Sequence, residues 1–492
     1  MKSIKLLALI AGPFLFLVFQ FLKTPEAMSP EAFQILGITL WMAIWWVSEA
    51  IPISVTALLP IILFPLTGAL DIETTTAAYG HRYVFLYLGG FIIAIAIEKW
   101  DLHKRIALNI INLIGTNIKF IILGFMLATA FLSMWISNTA TSVMMLPIGM
   151  AIIAQLKDNP NTLQDENEIF GKALMLAIAY SASIGGIATL IGTPPNLVFA
   201  GIVEELYGIE ISFTKWFILG FPISVVLLFI CWKYLTGAAF NFKQNEFPGG
   251  KQEIKRLLRN LGKVSNNEKK VIAVFGLTAF FWITRTFLLQ PIIPFIDDTI
   301  IAMSAAVILF VIPGRKKGEK LITWDDAVKI PWGIILLFGG GMALAKGFGD
   351  SGLALWIGSQ LTNLENLPLI LLVFILVASV NFLTEVTSNL ATTAMLLPIL
   401  ATMAIALGLH PYFLMVGATL AASCAFMLPV ATPPNAVVFG SGYLRIPDMI
   451  KTGLWMNAIS IILISLVVYF LLPYLWEFDP ETIPRKFEIL TD

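Results

Sequence analysis

The chain has 492 residues, of which 58% are hydrophobic and only 13% are charged. Soluble globular proteins carry about 25% charged residues, so a large part of this chain is expected to lie in lipid. The formal net charge is zero, which argues against a polyanionic partner such as nucleic acid.

Eleven apolar segments are candidate membrane spans, because about 17–25 apolar residues cross the ~30 Å hydrocarbon core of a bilayer. The first has a basic start but no small-residue cleavage site, so it is predicted to be a spanning helix and not a cleaved signal peptide. Two amphipathic stretches, 101–115 and 350–362, are expected to lie along the membrane surface. The spans are predicted at 4–22, 32–50, 52–70, 83–99, 171–203, 214–238, 271–289, 299–314, 329–346, 412–440 and 452–474.

Two further apolar segments, about 118–156 and 366–408, are interrupted near their midpoints by polar residues. The interruptions are Ser-Asn-Thr at 137–139 and Ser-Asn-Leu at 388–390. Each segment is long enough to cross the membrane twice. Alternatively, each can enter, turn at the interruption and leave by the same face as a re-entrant hairpin.

The distribution of basic residues favours re-entrant hairpins. With hairpins and a cytoplasmic N-terminus, every short basic loop falls inside, as the positive-inside rule requires. Glu204, Glu205, Glu210 and an acidic tail fall outside, and only 158–168 is an acidic stretch inside. We therefore predict a multi-pass protein of the inner (plasma) membrane with an extracytoplasmic C-terminus. The basic groups placed inside are Lys2, Lys5, Lys99, His103, Lys104, Arg105, Arg315, Lys316, Lys317, Lys320, Arg445 and Lys451.

The two interrupted segments are copies of one another. SNTATSVMMLPI at 137–148 and SNLATTAMLLPI at 388–399 agree at eight positions, and IGTPPNLVF at 191–199 matches VATPPNAVVF at 430–439. LYLGG at 86–90 is similarly echoed by LLFGG at 336–340. Because an odd number of predicted crossings separates the copies, the second is inverted relative to the first.

The sequence therefore predicts an all-α polytopic membrane protein with about 11 transmembrane helices and two re-entrant hairpins in two inverted repeats. In this prediction 118–156 and 366–408 are the hairpins, and 171–203 and 412–440 are unwound helices. The predicted parts are N-terminal spans at 1–82, a first repeat core at 83–240, a basic cytoplasmic linker at 241–270, further spans at 271–332, a second repeat core at 333–440, and a last span with its tail at 441–492.

The chemistry is expected at four breaks near mid-depth: two hairpin tips and two Thr-Pro-Pro-Asn turns. Interrupted spans at corresponding places in two halves mark a transporter's binding site, and non-helical backbone at this depth must be buried in protein or line a cavity. The proline pairs force the preceding residues out of helix. The carbonyls of Gly192 and Ala431 then become available to a cation, and the helix starts that follow suit an anion.

Neither hairpin carries a Lys or Arg in its interior, so an anionic substrate would be balanced by helix ends and co-bound cations. Hard alkali ions prefer oxygen ligands, and Ser, Thr and Asn side chains supply them here. We therefore hypothesise that Na⁺ is the coupling ion. Glu385 is the only ionisable residue near either tip, and its role stays open.

Other functions fit less well. An intramembrane enzyme would need a His, Asp, Glu or Cys cluster at membrane depth, and the sequence shows none. Broken, inverted halves suit alternating access better than a pore. Glu49 and the histidines His81, His103 and His410 lie near span ends and are interpreted as structural or interfacial.

On these motifs the chain resembles the divalent anion/sodium symporter family of di- and tricarboxylate and sulfate carriers. The resemblance covers nearly the whole chain. It is carried by WWVSEAIPISVTALLP at 45–60, FLYLGGFIIAIAIEKWDLHKRIAL at 85–108, both Ser-Asn motifs and SCAFMLPVATPPNAVV at 423–438.

The resemblance implies a homodimer in which a scaffold holds the dimer interface, while a transport domain moves across the bilayer as an elevator. It places 1–82 and 271–332 mainly in the scaffold. It implies a first Na⁺ site at Ser133, Ser137, Asn138 and Gly192, and a second at Thr384, Ser388, Asn389 and Ala431. Substrate carboxylates would be held by Asn138, Thr139, Thr193, Pro194, Asn389, Thr432 and Pro433.

One position departs from the simplest pattern, since Leu390 stands in the second motif where Thr139 stands in the first. The missing hydroxyl leaves open which carboxylate is preferred. No soluble insert of the kind found in many sulfate carriers of the family is present, so C4-dicarboxylates such as succinate, fumarate and malate are expected. A sodium-coupled citrate or sulfate carrier and a sodium-independent dicarboxylate exchanger are the alternatives.

Overall fold

The computed structural model describes residues 2–115, 117–155, 166–242, 250–316, 318–359, 367–484 and 487. In these ranges the chain is helical and forms no β-strand, apart from one isolated bridge between Pro313 and Lys320. The first helices are α1 (Lys2–Phe19), α2 (Pro30–Ser48), α3 (Ile53–Thr56), α4 (Leu59–Thr67), α5 (Ile72–Ala77), α6 (Arg82–Lys99), α7 (Leu102–Ile114), α8 (Ile118–Ser133), α9 (Asn138–Ile153), α10 (Glu166–Ile187), α11 (Pro194–Tyr207) and α12 (Phe213–Lys233).

The remaining helices follow the basic segment. They are α13 (Gly250–Asn260), α14 (Asn266–Thr284), α15 (Asp298–Val311), α16 (Trp324–Ala327), α17 (Trp332–Asp350), α18 (Leu353–Ser359), α19 (Leu369–Thr384), α20 (Asn389–Ala406), α21 (Pro411–Ala422), α22 (Pro433–Phe439), α23 (Ile446–Leu466) and α24 (Leu472–Trp476). A 3₁₀ turn at Ala78–Gly80 precedes α6. Stretches of π-helix extend α12, α14 and α23 at Tyr234–Ala239, Arg285–Leu289 and Val467–Leu471.

Eight helical stretches in the described part of the chain are long and apolar enough to cross a membrane. Shorter apolar helices lie between them, including α8, α9 and α19 of the interrupted segments. The predicted span 52–70 is divided into α3 and α4 around Ala57 and Leu58. The 241–270 linker contains α13, which was not predicted from the sequence. Its residues 243–249 lie outside the described part, as do 360–362 of the second amphipathic stretch.

All four predicted interruptions coincide with helix ends. Helix α8 ends at Ser133 before α9 begins at Asn138, and α19 ends at Thr384 before α20 begins at Asn389. The segments 188–193 and 423–432 separate α10 from α11 and α21 from α22. The second of these breaks is longer, because α21 stops earlier relative to its Thr-Pro-Pro-Asn turn than α10 does.

Helix α17 lies between two groups of helices and touches both. It packs against α2, α3, α4 and α6 on one side, and against α11 and α20 on the other. Its Gly-Gly-Gly run allows this close approach: a Cβ at Gly340 would lie 2.5 Å from the Ala57 carbonyl oxygen, and one at Gly341 would lie 2.9 Å from Ala394 Cβ. Side chains at either position would push the neighbouring helices away.

Candidate functional site

The first hairpin tip brings a hydroxyl, an amide and backbone carbonyls together. Ser133, at the end of α8, donates to the Ala182 carbonyl at 2.7 Å. With the Asn138 amide oriented to satisfy its surroundings, its nitrogen lies 2.6 Å from Ser133 Oγ, 3.2 Å from the Ala182 oxygen and 3.3 Å from the Gly192 oxygen. Three residues expected at the first Na⁺ site, Ser133, Asn138 and Gly192, are therefore in direct contact. The fourth, Ser137, caps α9 by accepting from Ala140 N at 3.3 Å.

The second tip repeats this arrangement. Thr384 Oγ1, at the end of α19, lies 2.6 Å from Asn389 Oδ1 and 3.2 Å from the Ala422 carbonyl oxygen. The Ala422 carbonyl thus accepts from Thr384 as the Ala182 carbonyl accepts from Ser133. Ser388 is the N-cap of α20 without a side-chain capping bond, so its hydroxyl is not committed to that helix. Ala431 lies in the adjoining unwound segment, buried.

Two asparagines that sequence reasoning did not assign hold the unwound segments in shape. Asn196 Nδ2 donates to the Thr189 carbonyl at 2.8 Å, and Asn435 Nδ2 donates to the Leu428 carbonyl at 3.0 Å. Both side chains are fully buried, and among the described residues neither Oδ1 has a hydrogen-bond partner. Their recurrence as the last residue of both Thr-Pro-Pro-Asn turns was the available signal. Each amide ties the start of a helix back across its own break.

Glu385 anchors the second break. Its Oε1 accepts from Phe426 N at 2.8 Å, Met427 N at 3.0 Å and Asn457 Nδ2 at 2.7 Å, while Oε2 accepts from Leu428 N at 3.0 Å. The residue is 3% exposed. A carboxylate accepting several N–H bonds satisfies donors that unwinding would otherwise leave unpaired. These hydrogen bonds favour a structural role for Glu385, whose function the sequence left open.

The first copy has no equivalent carboxylate. Met134 stands where Glu385 stands, and its backbone carbonyl accepts from Thr189 Oγ1 at 2.5 Å. In the first copy a hydrogen bond from the Thr189 hydroxyl therefore takes the place of the bonds that Glu385 accepts in the second. The break after α10 is also shorter than the break after α21.

The residues expected to hold substrate carboxylates lie at the starts of four helices. Thr139 is exposed in the first turn of α9. Thr193 and Thr432 are buried N-caps, of which Thr432 accepts from Asn435 N at 3.3 Å. Pro194 and Pro433 begin α11 and α22. Helix N-termini carry free N–H groups and a partial positive charge, so this arrangement suits an anion.

Equivalent helices of the two copies differ in how exposed they are at the site. On α9, Thr139 is exposed and Val143 is 52% exposed, whereas the equivalent Leu390 and Ala394 on α20 are 6% and 0% exposed. Likewise Ala436 on α22 is exposed, while the equivalent Leu197 on α11 is fully buried. Helices α20 and α11 are covered by α17. One end of the site is thus closed and the other open, and the missing hydroxyl at Leu390 lies on the closed side.

The two repeats are packed crosswise around the breaks. Helix α9 of the first copy packs against α22 of the second, and α20 of the second packs against α11 of the first. Helix α10 contacts both α9 and α22. Each hairpin tip therefore adjoins an unwound segment from the other copy.

The site contains oxygens but no cluster suited to transition-metal or acid–base chemistry. In the described residues no group of three or more His, Cys, Asp or Glu side chains could hold a metal. The hydroxyls, amides and carbonyls are ligands for a hard, weakly bound monovalent cation. They also hydrogen-bond to an anion. Simultaneous binding of cation and anion is the chemistry that this donor set supports.

Comparison with known proteins agrees with these features. The sequence profile of the sodium:sulfate symporter transmembrane region matches residues 2–476. The sodium-dependent dicarboxylate transporter SdcS of Staphylococcus saprophyticus is 48% identical over 98% of this chain and 94% of its own length. The SdcS protein of Staphylococcus aureus strain bovine RF122 / ET3-1 is 49% identical over the same shares.

Two solved transporter structures share the fold at low sequence identity. The Alcanivorax borkumensis YdaH transporter has a TM-score of 0.61 at 12% identity, covering 92% of this chain and all of that one. The Neisseria gonorrhoeae protein MtrF has a TM-score of 0.57 at 10% identity, covering 94% and 98%. At such identities the likeness concerns the fold alone.

Proposed function

This chain belongs to the sodium:sulfate symporter family of secondary transporters, which confirms the resemblance and excludes an enzyme, and we propose that it couples Na⁺ entry to uptake of C4-dicarboxylates. The observation that carries the proposal is the pair of oxygen clusters at Ser133–Asn138 and Thr384–Asn389, each beside helix N-termini and without a basic side chain. A dianion bound there needs cations to balance its charge, so substrate binding would depend on Na⁺.

Dicarboxylate is favoured over sulfate as the substrate. The relatives named as sodium-dependent dicarboxylate transporters align along almost the whole chain. Two carboxylate groups also match the two-fold character of the site, since each copy offers an Asn amide and a Thr-capped helix start. We assign one carboxylate to Asn138, Thr139 and Thr193, and the other to Asn389 and Thr432, with Pro194 and Pro433 shaping the helix starts.

The two Na⁺ ions would bind beside the substrate, one in each copy. We assign the first to Ser133, Ser137, Asn138 and the Gly192 carbonyl. The second would use Thr384, Ser388, Asn389 and the Ala431 carbonyl. Because the tips adjoin unwound segments of both copies, occupation by Na⁺ would order the same amides that hold the carboxylates.

We further propose that two units move relative to one another. Helices α1–α6 and α14–α17 would form a scaffold and the dimer interface. Helices α8–α12 and α19–α24 would form a transport unit that moves as an elevator. The helices α7 and α18 would connect the two units and belong to neither. Helix α7 follows α6 of the scaffold and contacts α8 of the transport unit, and α18 follows α17 of the scaffold and contacts α20 of the transport unit.

The exposure of α9 and α22 supports an inward-open state. With the basic loops in the cytoplasm, α9 and α22 form the cytoplasmic half of the site, and α20 and α11 form the outer half. The outer half is buried against α17, whereas Val430, between the two halves, is 75% exposed. Unwound backbone at this depth must face a cavity, so the site would open toward the cytoplasm.

Proteoliposomes test the proposed function. Labelled succinate uptake should require an inward Na⁺ gradient and should disappear when Na⁺ is replaced by choline. Unlabelled fumarate and malate should compete, and sulfate should not. Undiminished uptake in choline would instead indicate a sodium-independent exchanger, and strong competition by sulfate would indicate an inorganic-anion carrier.

A further inference from the structure

Residues 204–212, from the last turn of α11 to the residue before α12, form a charged α11–α12 connection that contacts the scaffold at the acidic end of the molecule. It presents three glutamates to three helices of the scaffold. Glu204 pairs with Arg82 at 2.6 Å, Glu210 with Arg285 at 2.6 Å, and Glu205 with Lys346 at 3.6 Å. The cations lie at the start of α6, in the π-helical extension of α14 and near the end of α17.

These contacts are confined to one end. Among the residues that the structure describes, every ion pair between a scaffold helix and the transport unit involves this connection. At the opposite end, Lys99–Asp326 lies within the scaffold, Lys172–Asp448 lies within the transport unit, and Arg105–Glu268 joins α14 to α7, which belongs to neither unit. This is the distribution expected when the acidic end is closed and the basic end is open.

Each scaffold cation also has an acidic partner within the scaffold itself. Arg285 Nε lies 2.8 Å from Asp298 Oδ1, and Lys346 Nζ lies 3.1 Å from Asp350 Oδ1. Arg82 Nη1 lies 3.7 Å from Asp297 Oδ2. Each of the three cations therefore has two acidic partners, one on the scaffold beside it and one on the transport unit.

The double pairing matters most for Arg285, which is 1% exposed. A buried charge left without a partner is strongly destabilising, so a single Glu210–Arg285 pair would be costly to separate. Asp298 stays beside Arg285 when Glu210 leaves, and Glu210, which is 32% exposed, can return to water. The same reasoning holds for the half-buried pairs of Arg82 and Lys346.

From this geometry we propose that Glu204, Glu205 and Glu210 form a releasable outer latch. It holds the transport unit in the inward-open position and opens without leaving an unpaired cation on the scaffold. His81 Nε2 also lies 3.8 Å from Glu204 Oε2. The latch rests on the proposed two-unit movement, and it adds residues that set the balance between the two open states.

The latch predicts opposite effects for the two partners of one cation. Glu205→Gln removes a contact made only in the inward-open state and should favour the outward-open state. Asp350→Asn removes the resting partner of Lys346 and should favour the inward-open state. A merely structural role for this ion-pair cluster would shift both variants in the same direction.

Cysteine labelling measures the two states without requiring transport. The equivalent residues Val430 and Ile191 precede Ala431 and Gly192, so Val430→Cys should react with an impermeant maleimide from the cytoplasmic side, and Ile191→Cys from the outside in the opposite state. The native Cys231 and Cys424 are fully buried and give a low background.

In the triple variant Glu204→Gln, Glu205→Gln, Glu210→Gln, labelling of Ile191→Cys from the outside should rise about fivefold or more. Each partly exposed ion pair shifts the equilibrium between the two open states modestly, and the three shifts add. Cytoplasmic labelling of Val430→Cys should fall. Asp350→Asn should lower outer labelling, and Asp326→Asn, whose ion pair stays within the scaffold, should leave both rates unchanged.

Equal labelling in the parent and the triple variant, or a shift of Glu205→Gln and Asp350→Asn in one direction, would overturn the latch. Absence of cytoplasmic labelling at Val430→Cys in the parent would overturn the inward-open state on which it depends. Failure of Na⁺-driven succinate uptake would count against the proposed function alone, because labelling requires no substrate.

Discussion

Replacing Glu385 with glutamine is the most informative single substitution at the site. The carboxylate connects the second hairpin tip to the backbone of Phe426, Met427 and Leu428 and to the Asn457 amide. Glutamine keeps the shape and one carbonyl oxygen. The nitrogen that replaces the other oxygen would face a backbone N–H, so one hydrogen bond becomes a contact between two donors.

The expected cost follows from that single contact. With Oε1 still accepting its three bonds, one partly buried N–H, that of Leu428, loses its acceptor, at about 1–3 kcal/mol. Glu385→Ala would leave three donors unpaired, the N–H groups of Met427 and Leu428 and the Asn457 amide, while Phe426 N keeps its bond to Asn457 Oδ1. The cost would be about 3–9 kcal/mol, which approaches the whole stability of a typical domain. Glutamine should therefore leave the protein folded while loosening residues 426–428.

Loosening this break should weaken cation binding, because the Ala422 carbonyl that Thr384 contacts and the Ala431 carbonyl of the proposed second Na⁺ site lie on either side of it. If about 1 kcal/mol of the loss appears in Na⁺ binding, the Na⁺ concentration that gives half-maximal succinate uptake should rise about fivefold. The assay is uptake into proteoliposomes across a series of Na⁺ concentrations at saturating succinate.

The matched control is Glu253→Gln, since Glu253 pairs with Arg256 on α13, a helix that supplies none of the proposed site residues. It should leave the Na⁺ dependence unchanged. If Glu385→Gln also left both the Na⁺ dependence and the thermal unfolding midpoint unchanged, the hydrogen bonds to residues 426–428 would not be what shapes the second site.

Asn138→Ala and Asn389→Ala should each abolish uptake while leaving the protein folded, because each removes an amide proposed to contact both ion and substrate; normal uptake by either variant would contradict the site. Gly192→Ala should also abolish uptake, since its Cβ would lie 2.5 Å from a backbone carbonyl oxygen of Gly186. The reciprocal Ala431→Gly should retain most uptake, and equal losses in the two variants would show that the close approach at Gly192 is irrelevant.

The helix interruptions were predictable from sequence because their causes are local. Proline pairs remove helical donors and restrict the preceding residue, and Ser137 and Ser388 are suitable N-caps for the helices that follow. Duplication made each motif more informative, since a chance break would not recur with the same neighbours. The family and the transporter class followed from the same motifs.

The partners of Glu385 were not predictable in this way. Its backbone donors lie in the unwound segment between α21 and α22, and Asn457 lies in α23, so only the folded structure brings them together. The amides of Asn196 and Asn435 act within their own turns, yet their bonds depend on how far each helix is unwound. Long-range contacts of this kind decide the shape of a break, whereas local residues decide its position.

Equivalent helices of the two copies differ in exposure, and this difference indicates how inverted repeats can give alternating access. Val143 and Ala394 occupy the same position in the two copies, but the first is 52% exposed and the second fully buried. At two of the three compared positions the buried helix carries the larger apolar side chain, Leu390 against Thr139 and Leu197 against Ala436, so composition contributes to which helices are buried. Because one fixed sequence must serve both open states, the balance between them also depends on contacts that differ between the two ends. In the described structure, the ion pairs of the α11–α12 connection are such contacts, and releasing them should allow α9 and α22 to replace α20 and α11 against the scaffold.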